Sequence, residues 1–73
     1  METYLEKLLS QIRCKKARPY IAEEIRDHIE CQIEDNLSDG MSYEEAEKNA
    51  VTDMGDPVEV GISLDRIHKP KIA

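Results

Sequence analysis

The chain has 73 residues, of which 36% are charged and 4% are aromatic, and its formal net charge is -6. A domain of this length buries only roughly 60% of the surface that its unfolded chain exposes, so we expect a small core built mainly from aliphatic side chains. Size and composition argue against a deep ligand pocket. No apolar run reaches the roughly 18 residues of a membrane span, and two cysteines do not make a disulfide framework, which fits a reducing, cytosolic setting.

The charge is unevenly distributed along the chain. Residues 1–22 carry a net charge of +3, residues 23–59 carry -11 and residues 60–73 carry +2. A large acidic surface repels phosphate backbones, so we expect no nucleic-acid partner.

A first helix is predicted over residues 3–13. Thr3 and Glu6 have the spacing of a capping box, and the apolar residues recur on one side of the helix: Met1, Leu5, Leu8, Leu9 and Ile12. A basic connector follows, and Pro19 disfavours helix in the residue before it, which places a break at Arg18.

The clearest element is a long second helix over residues 19–39, with Pro19 at its start and Gly40 after its end. Its apolar residues recur every four positions: Ile21, Ile25, Ile29, Ile33 and Leu37. Each four-residue step overshoots a full turn by about 40°, so this apolar stripe winds around the helix. The two ends of the helix should therefore contact different neighbours.

Two shorter helices complete the expected fold, over residues 43–54 and 57–67. Ser42 and Glu45 form a second capping box, while Gly55, Asp56 and Pro57 predict a tight joint between these helices. The third helix has an apolar stripe consisting of Tyr43, Ala46, Ala50, Val51 and Met54. The prediction is an all-α bundle of four helices around the long second helix, forming one domain over residues 1–68, with residues 69–73 as a basic linker or tail.

The fourth helix has apolar residues on two faces. Val60, Leu64 and Ile67 share one face with Gly61, whereas Val58 and Ile62 lie near the opposite face. One set can pack in the core. The other set then either contacts a partner or is also buried, because so small a domain can surround this helix on both sides. We predict Val58 and Ile62 as protein-contact residues.

No catalytic, cofactor-binding or metal-binding residue is predicted. His28 and Cys31 are three residues apart on the long helix, but a zinc site needs about three or four protein ligands. Cys14 and His68 would complete such a site only if folding brought them close. A metal sensor is therefore the weakest of the functional hypotheses.

Several segments resemble the helical module called the HAAS domain, and more narrowly the version at the cytosolic N-terminus of some FtsW/RodA/SpoVE-family membrane proteins of Firmicutes. The resemblance covers nearly the whole chain. Its most specific elements are the segments 22–25, 28–30 and 54–57, the pair Glu45 and Ala46 with Ala50, and the segment 65–68.

The resemblance implies that membrane helices follow Ala73, and that the attached membrane region acts in peptidoglycan synthesis during cell division or in cell shape. The chain would then be a non-catalytic interaction or regulatory module on the cytoplasmic face of the membrane. Its partner would be another protein or the attached membrane domain, and a homodimer is left open. The alternative is a stand-alone adaptor that binds a PadR-type transcription regulator.

Overall fold

The computed structural model describes residues 1–67, which form four helices, as predicted. They are α1 (Glu2–Leu9), α2 (Arg18–Ser38), α3 (Tyr43–Met54) and α4 (Pro57–Ile67). The bounds of α3 and α4 match the prediction, and α2 begins and ends one residue earlier than predicted. The break predicted at Arg18 is therefore wrong, because Arg18 is the first residue of α2 and Ala17 is its N-cap. The predicted basic linker, residues 69–73, and His68 lie outside the described residues.

The C-terminal end of α1 differs most from its prediction, because the helix ends at Leu9 instead of Arg13. The Ser10 hydroxyl donates a hydrogen bond to the Lys7 carbonyl at 2.6 Å. The next two backbone N–H groups, at positions 11 and 12, donate to carbonyls only three residues earlier. Hydrogen bonds from a serine side chain compete with the helical ladder, so the chain tightens into a turn here.

The predicted capping box at Thr3 is wrong because α1 begins at Glu2, which places Thr3 inside the first turn. Met1 is the N-cap, and no side chain caps this end of the helix. Tyr4, which lies outside the apolar stripe predicted for α1, is nevertheless only 7% exposed. Burial, together with the negative charge of Asp56, raises the pKa of the Tyr4 phenol.

The caps predicted for the last two helices are present. The Ser42 hydroxyl oxygen accepts a hydrogen bond from the Glu45 backbone N–H at 3.3 Å. The Asp56 carboxylate accepts from the Val58 backbone N–H at 2.8 Å, which caps α4. Gly55 between these helices has φ = +94°, a conformation that glycine adopts without steric cost. The tight α3–α4 joint therefore follows from local chemistry.

Helix α2 lies at the centre of the bundle and packs against both α1 and α3, while α4 packs mainly against α1. The prediction that α2 contacts different neighbours is confirmed. An ion pair joins α2 to the start of α1, with Arg26 and Glu2 3.0 Å apart. The buried apolar core draws on α1, the connector, α2 and α3, and consists of Tyr4, Leu5, Leu8, Ile12, Ile21, Ile29, Ile33, Ala46 and Ala50.

A buried amide fixes the register between α2 and α3. Asn36 is 5% exposed, and its side-chain N–H donates to the Ala46 carbonyl at 3.0 Å. Its side-chain oxygen accepts from the Gln32 amide at 3.1 Å. Sliding one helix along the other would break the bond between Asn36 and Ala46 and leave a buried polar group unpaired, which is costly.

Candidate functional site

Helix α4 packs directly against the C-terminal end of α1, where the backbone of Gly61 lies close to that of Leu8. A Cβ atom at this position would lie 2.5 Å from the Leu8 carbonyl oxygen and 2.8 Å from Cβ of Gln11. Real Cβ atoms essentially never approach a backbone oxygen so closely. Glycine is therefore what allows α4 to lie directly on α1.

Asp65 forms the second attachment of α4. Its carboxylate accepts the Arg13 backbone N–H at 2.8 Å and the Arg13 Nε–H at 2.7 Å. A carboxylate in the last turn of a helix opposes the helix dipole, so this pair offsets an otherwise unfavourable placement. The bond from the Arg13 backbone lowers the pKa of Asp65, partial burial opposes this, and the bond and charge of the Arg13 side chain lower it further.

The lowered pKa makes the Asp65 contribution to stability dependent on pH. A carboxylate whose pKa is lower in the folded state than in the unfolded state stabilises the fold at pH values above its unfolded-state pKa. This stabilisation is lost as the pH falls through the folded-state pKa. We expect Asp65→Asn to lower the unfolding temperature by several degrees at neutral pH, and the difference from the parent to shrink below about pH 4. Thermal unfolding followed by circular dichroism from neutral to acid pH measures this difference.

Asp27→Asn, at an exposed position on α2, is the matched control because it removes the same charge. The unfolding temperature of Asp27→Asn should differ little from that of the parent at every pH. A constant destabilisation by Asp65→Asn across the whole pH range would contradict the proposed pH-dependent role of the carboxylate.

These attachments leave Val58 and Ile62 partly exposed, at 39% and 42%, on a face of α4 that we call its outer face. Val60 and Leu64 are half-buried and pack against the core. Of the two apolar sets on α4, the one that packs in the core is therefore the set that contains Val60 and Leu64. Ile67, expected beside them, is instead 74% exposed because it lies beyond the Asp65 attachment, where the neighbouring α1 has already ended.

A second apolar surface lies between the C-terminal part of α2 and the start of α3. Ile33, Leu37 and Tyr43 line a shallow groove of about 310 Å³ together with Glu30 and Glu34. Leu37 is 40% exposed and Tyr43 is 58% exposed, although both belong to apolar stripes of the sequence. The winding of the α2 stripe accounts for the exposure of Leu37, because at this position the stripe has turned away from the core.

The two residues considered for a metal site, His28 and Cys31, are both exposed on α2, and Cys14 is half-buried in the connector. Within residues 1–67, no group of three or more His, Cys, Asp or Glu side chains is placed to hold a metal ion. His68, the fourth residue considered, lies outside that range.

None of the helices in the described part of the chain combines the length and the apolar character needed to cross a membrane. Comparisons of the chain with protein-family models, curated proteins and solved structures find no significant match.

Proposed function

We propose that this chain is a non-catalytic helical module that binds another protein through the outer face of α4. The observation that carries this proposal is the exposure of Val58 and Ile62, which lie one helical turn apart on a helix whose other face is fixed to α1. Paired apolar side chains on a rigid helix provide the anchors that helix-mediated recognition requires. The Gly61 and Asp65 attachments keep this face in one orientation.

The resemblance to HAAS domains indicates the kind of protein in which this contact would be made. We propose that the module belongs to a membrane protein of peptidoglycan synthesis, cell division or cell shape, and that it lies at the cytoplasmic face of the membrane. Lys69 and Lys71 fit this setting, because basic residues are enriched on the cytoplasmic side of membrane spans. The module would tether or regulate the attached protein.

Photo-crosslinking in source cells tests the contact. A photoreactive amino acid in place of Ile62, in the full-length chain, should yield an adduct of discrete mass with a second protein. The control places the same amino acid at Tyr20, which is 76% exposed near the start of α2. Absence of an adduct from position 62, or the same adduct from position 20, would contradict the proposal.

Substitution of the two contact residues should weaken the contact without unfolding the module. Val58→Ser combined with Ile62→Ser should leave the chain folded, because both side chains are already partly exposed. The matched control is Val60→Ser combined with Leu64→Ser, which introduces the same polarity on the inward face and should lower the unfolding temperature much more. Equal destabilisation by the two double variants, measured by thermal circular dichroism, would place Val58 and Ile62 in the core.

A further inference from the structure

The groove between α2 and α3 is a second partly apolar surface, separate from the outer face of α4. Its floor is apolar, with Ile33 at 4% exposure and with Leu37 and Tyr43 much more open to solvent. Glu30 and Glu34 line it from α2 and lie one helical turn apart. An apolar floor with carboxylates beside it favours a ligand that is both apolar and cationic.

The charge around the groove is unusually one-sided. Residues 27–47, which include every residue that lines it, contain eight acidic residues and neither Lys nor Arg. The ion pairs found within residues 1–67 use Glu2, Glu47 and Asp65, so Glu30 and Glu34 form no ion pair there. Their charges are thus not neutralised by a neighbouring base in that part of the chain.

The shape of the groove suggests what occupies it. From Glu30 to Leu37 the groove follows α2 for about 10 Å, or roughly two helical turns. It lies between two helices that are joined by a short turn, and a third helix packs naturally into such a groove. A helix in this position can present two apolar side chains four residues apart to the floor.

We propose that this groove binds an amphipathic basic helix of a partner protein. The helix would insert two apolar side chains against Ile33, Leu37 and Tyr43, and its Lys or Arg residues would pair with Glu30 and Glu34. Nucleic acids and anionic lipid surfaces are disfavoured by the same negative charge.

A second copy of this chain is also a poor occupant. Its acidic stretch would repel the groove, and its basic connector is already engaged at both ends. Arg13 is bonded to Asp65, and the Arg18 Nε–H donates to the Ile12 carbonyl at 2.8 Å. The connector also lacks two large apolar residues one turn apart.

The probe for this proposal is a capped, alanine-based helical peptide with two leucines four residues apart and lysines on both sides of them. Its binding to the whole chain is measured by isothermal titration calorimetry at low and at high salt. Two control peptides are needed, one with the same composition but with the leucines on opposite faces, and one with Glu in place of Lys. We expect binding of the first peptide only, weakening as salt is added.

Variants of the chain locate the binding site. Leu37→Ser should weaken binding about tenfold through loss of apolar contact, whereas Tyr20→Ser should not change it. Glu30→Gln with Glu34→Gln should weaken binding and flatten its salt dependence. The matched control, Glu23→Gln with Glu24→Gln, removes two exposed charges from the same helix outside the groove.

Absence of binding at about millimolar peptide, equal binding of the peptide with displaced leucines, or an equal effect of the two charge variants would overturn the proposal. So would self-association of the chain that competes with the peptide, since a second copy would then occupy the groove. Each of these outcomes leaves the α4 contact unaffected, because none of the variants alters Val58 or Ile62.

Discussion

Gly61→Ala is expected to destabilise the module even though alanine is the better helix former. Alanine gains about 1 kcal/mol of helix propensity over glycine. Its Cβ, however, would lie 2.5 Å from the backbone oxygen of Leu8, which no side-chain rotation can relieve. Overpacking of this kind typically costs about 1–3 kcal/mol and occasionally more, so we expect a net fall in the free energy of unfolding and a partial separation of α4 from α1.

Ser63→Ala is the matched control for this prediction, because it raises helix propensity at an exposed position of the same helix. Thermal unfolding of the two variants should shift in opposite directions, and for a chain of this length each 1 kcal/mol corresponds to about 4–8 °C. If Gly61→Ala raised the unfolding temperature as Ser63→Ala does, α4 would not lie against α1 as described.

Ile29→Ala should have the largest effect of any single truncation in the core. Ile29 is fully buried at the centre of α2, and removal of such a side chain costs about 2–5 kcal/mol because a cavity remains. The total stability expected for this length is only about 4–11 kcal/mol. The variant should therefore lose a large part of the free energy of unfolding, which urea denaturation measures directly.

Two further variants keep this prediction testable if Ile29→Ala does not fold. Ile29→Val should retain the fold and lose about 0.5–1.5 kcal/mol. Ile67→Ala makes the same truncation at a position that is 74% exposed, and should change stability by no more than about 0.5 kcal/mol. Similar losses for Ile29→Ala and Ile67→Ala would contradict the described core.

Features set by neighbouring residues could be predicted from the sequence. The bounds of α3 and α4 follow from Ser42, Gly55 and Asp56, whose capping chemistry acts over a few residues. The four-residue repeat of α2 likewise predicts a long helix with more than one neighbour, because periodicity reflects burial directly.

Features set by distant contacts could not be predicted in the same way. Arg13, which the sequence placed inside α1, lies beyond the end of that helix and bonds to Asp65, 52 positions away. Asn36 resembled one more polar residue of a solvated helix, but it is buried against α3. The sequence did contain an indication at Asp65. An acidic residue in the last turn of a helix interacts unfavourably with the helix dipole, so a stabilising partner is expected.

The two candidate surfaces likewise combine features that the local sequence predicts with features that depend on distant contacts. The sequence separated Val58 and Ile62 from Val60 and Leu64, but only the packing of α4 on α1 determines which pair faces outwards. The α2–α3 groove was missed because Leu37 and Tyr43 belong to regular apolar stripes. Periodicity assigns such residues to the core, whereas both side chains are exposed in the folded chain.

We propose that this module is part of a larger membrane protein, and an immunoblot of fractionated source cells with an antibody against the module tests this proposal most directly. We expect a band much larger than 8.4 kDa in the membrane fraction. A band near 8.4 kDa in the soluble fraction would contradict this claim and would favour the stand-alone adaptor instead.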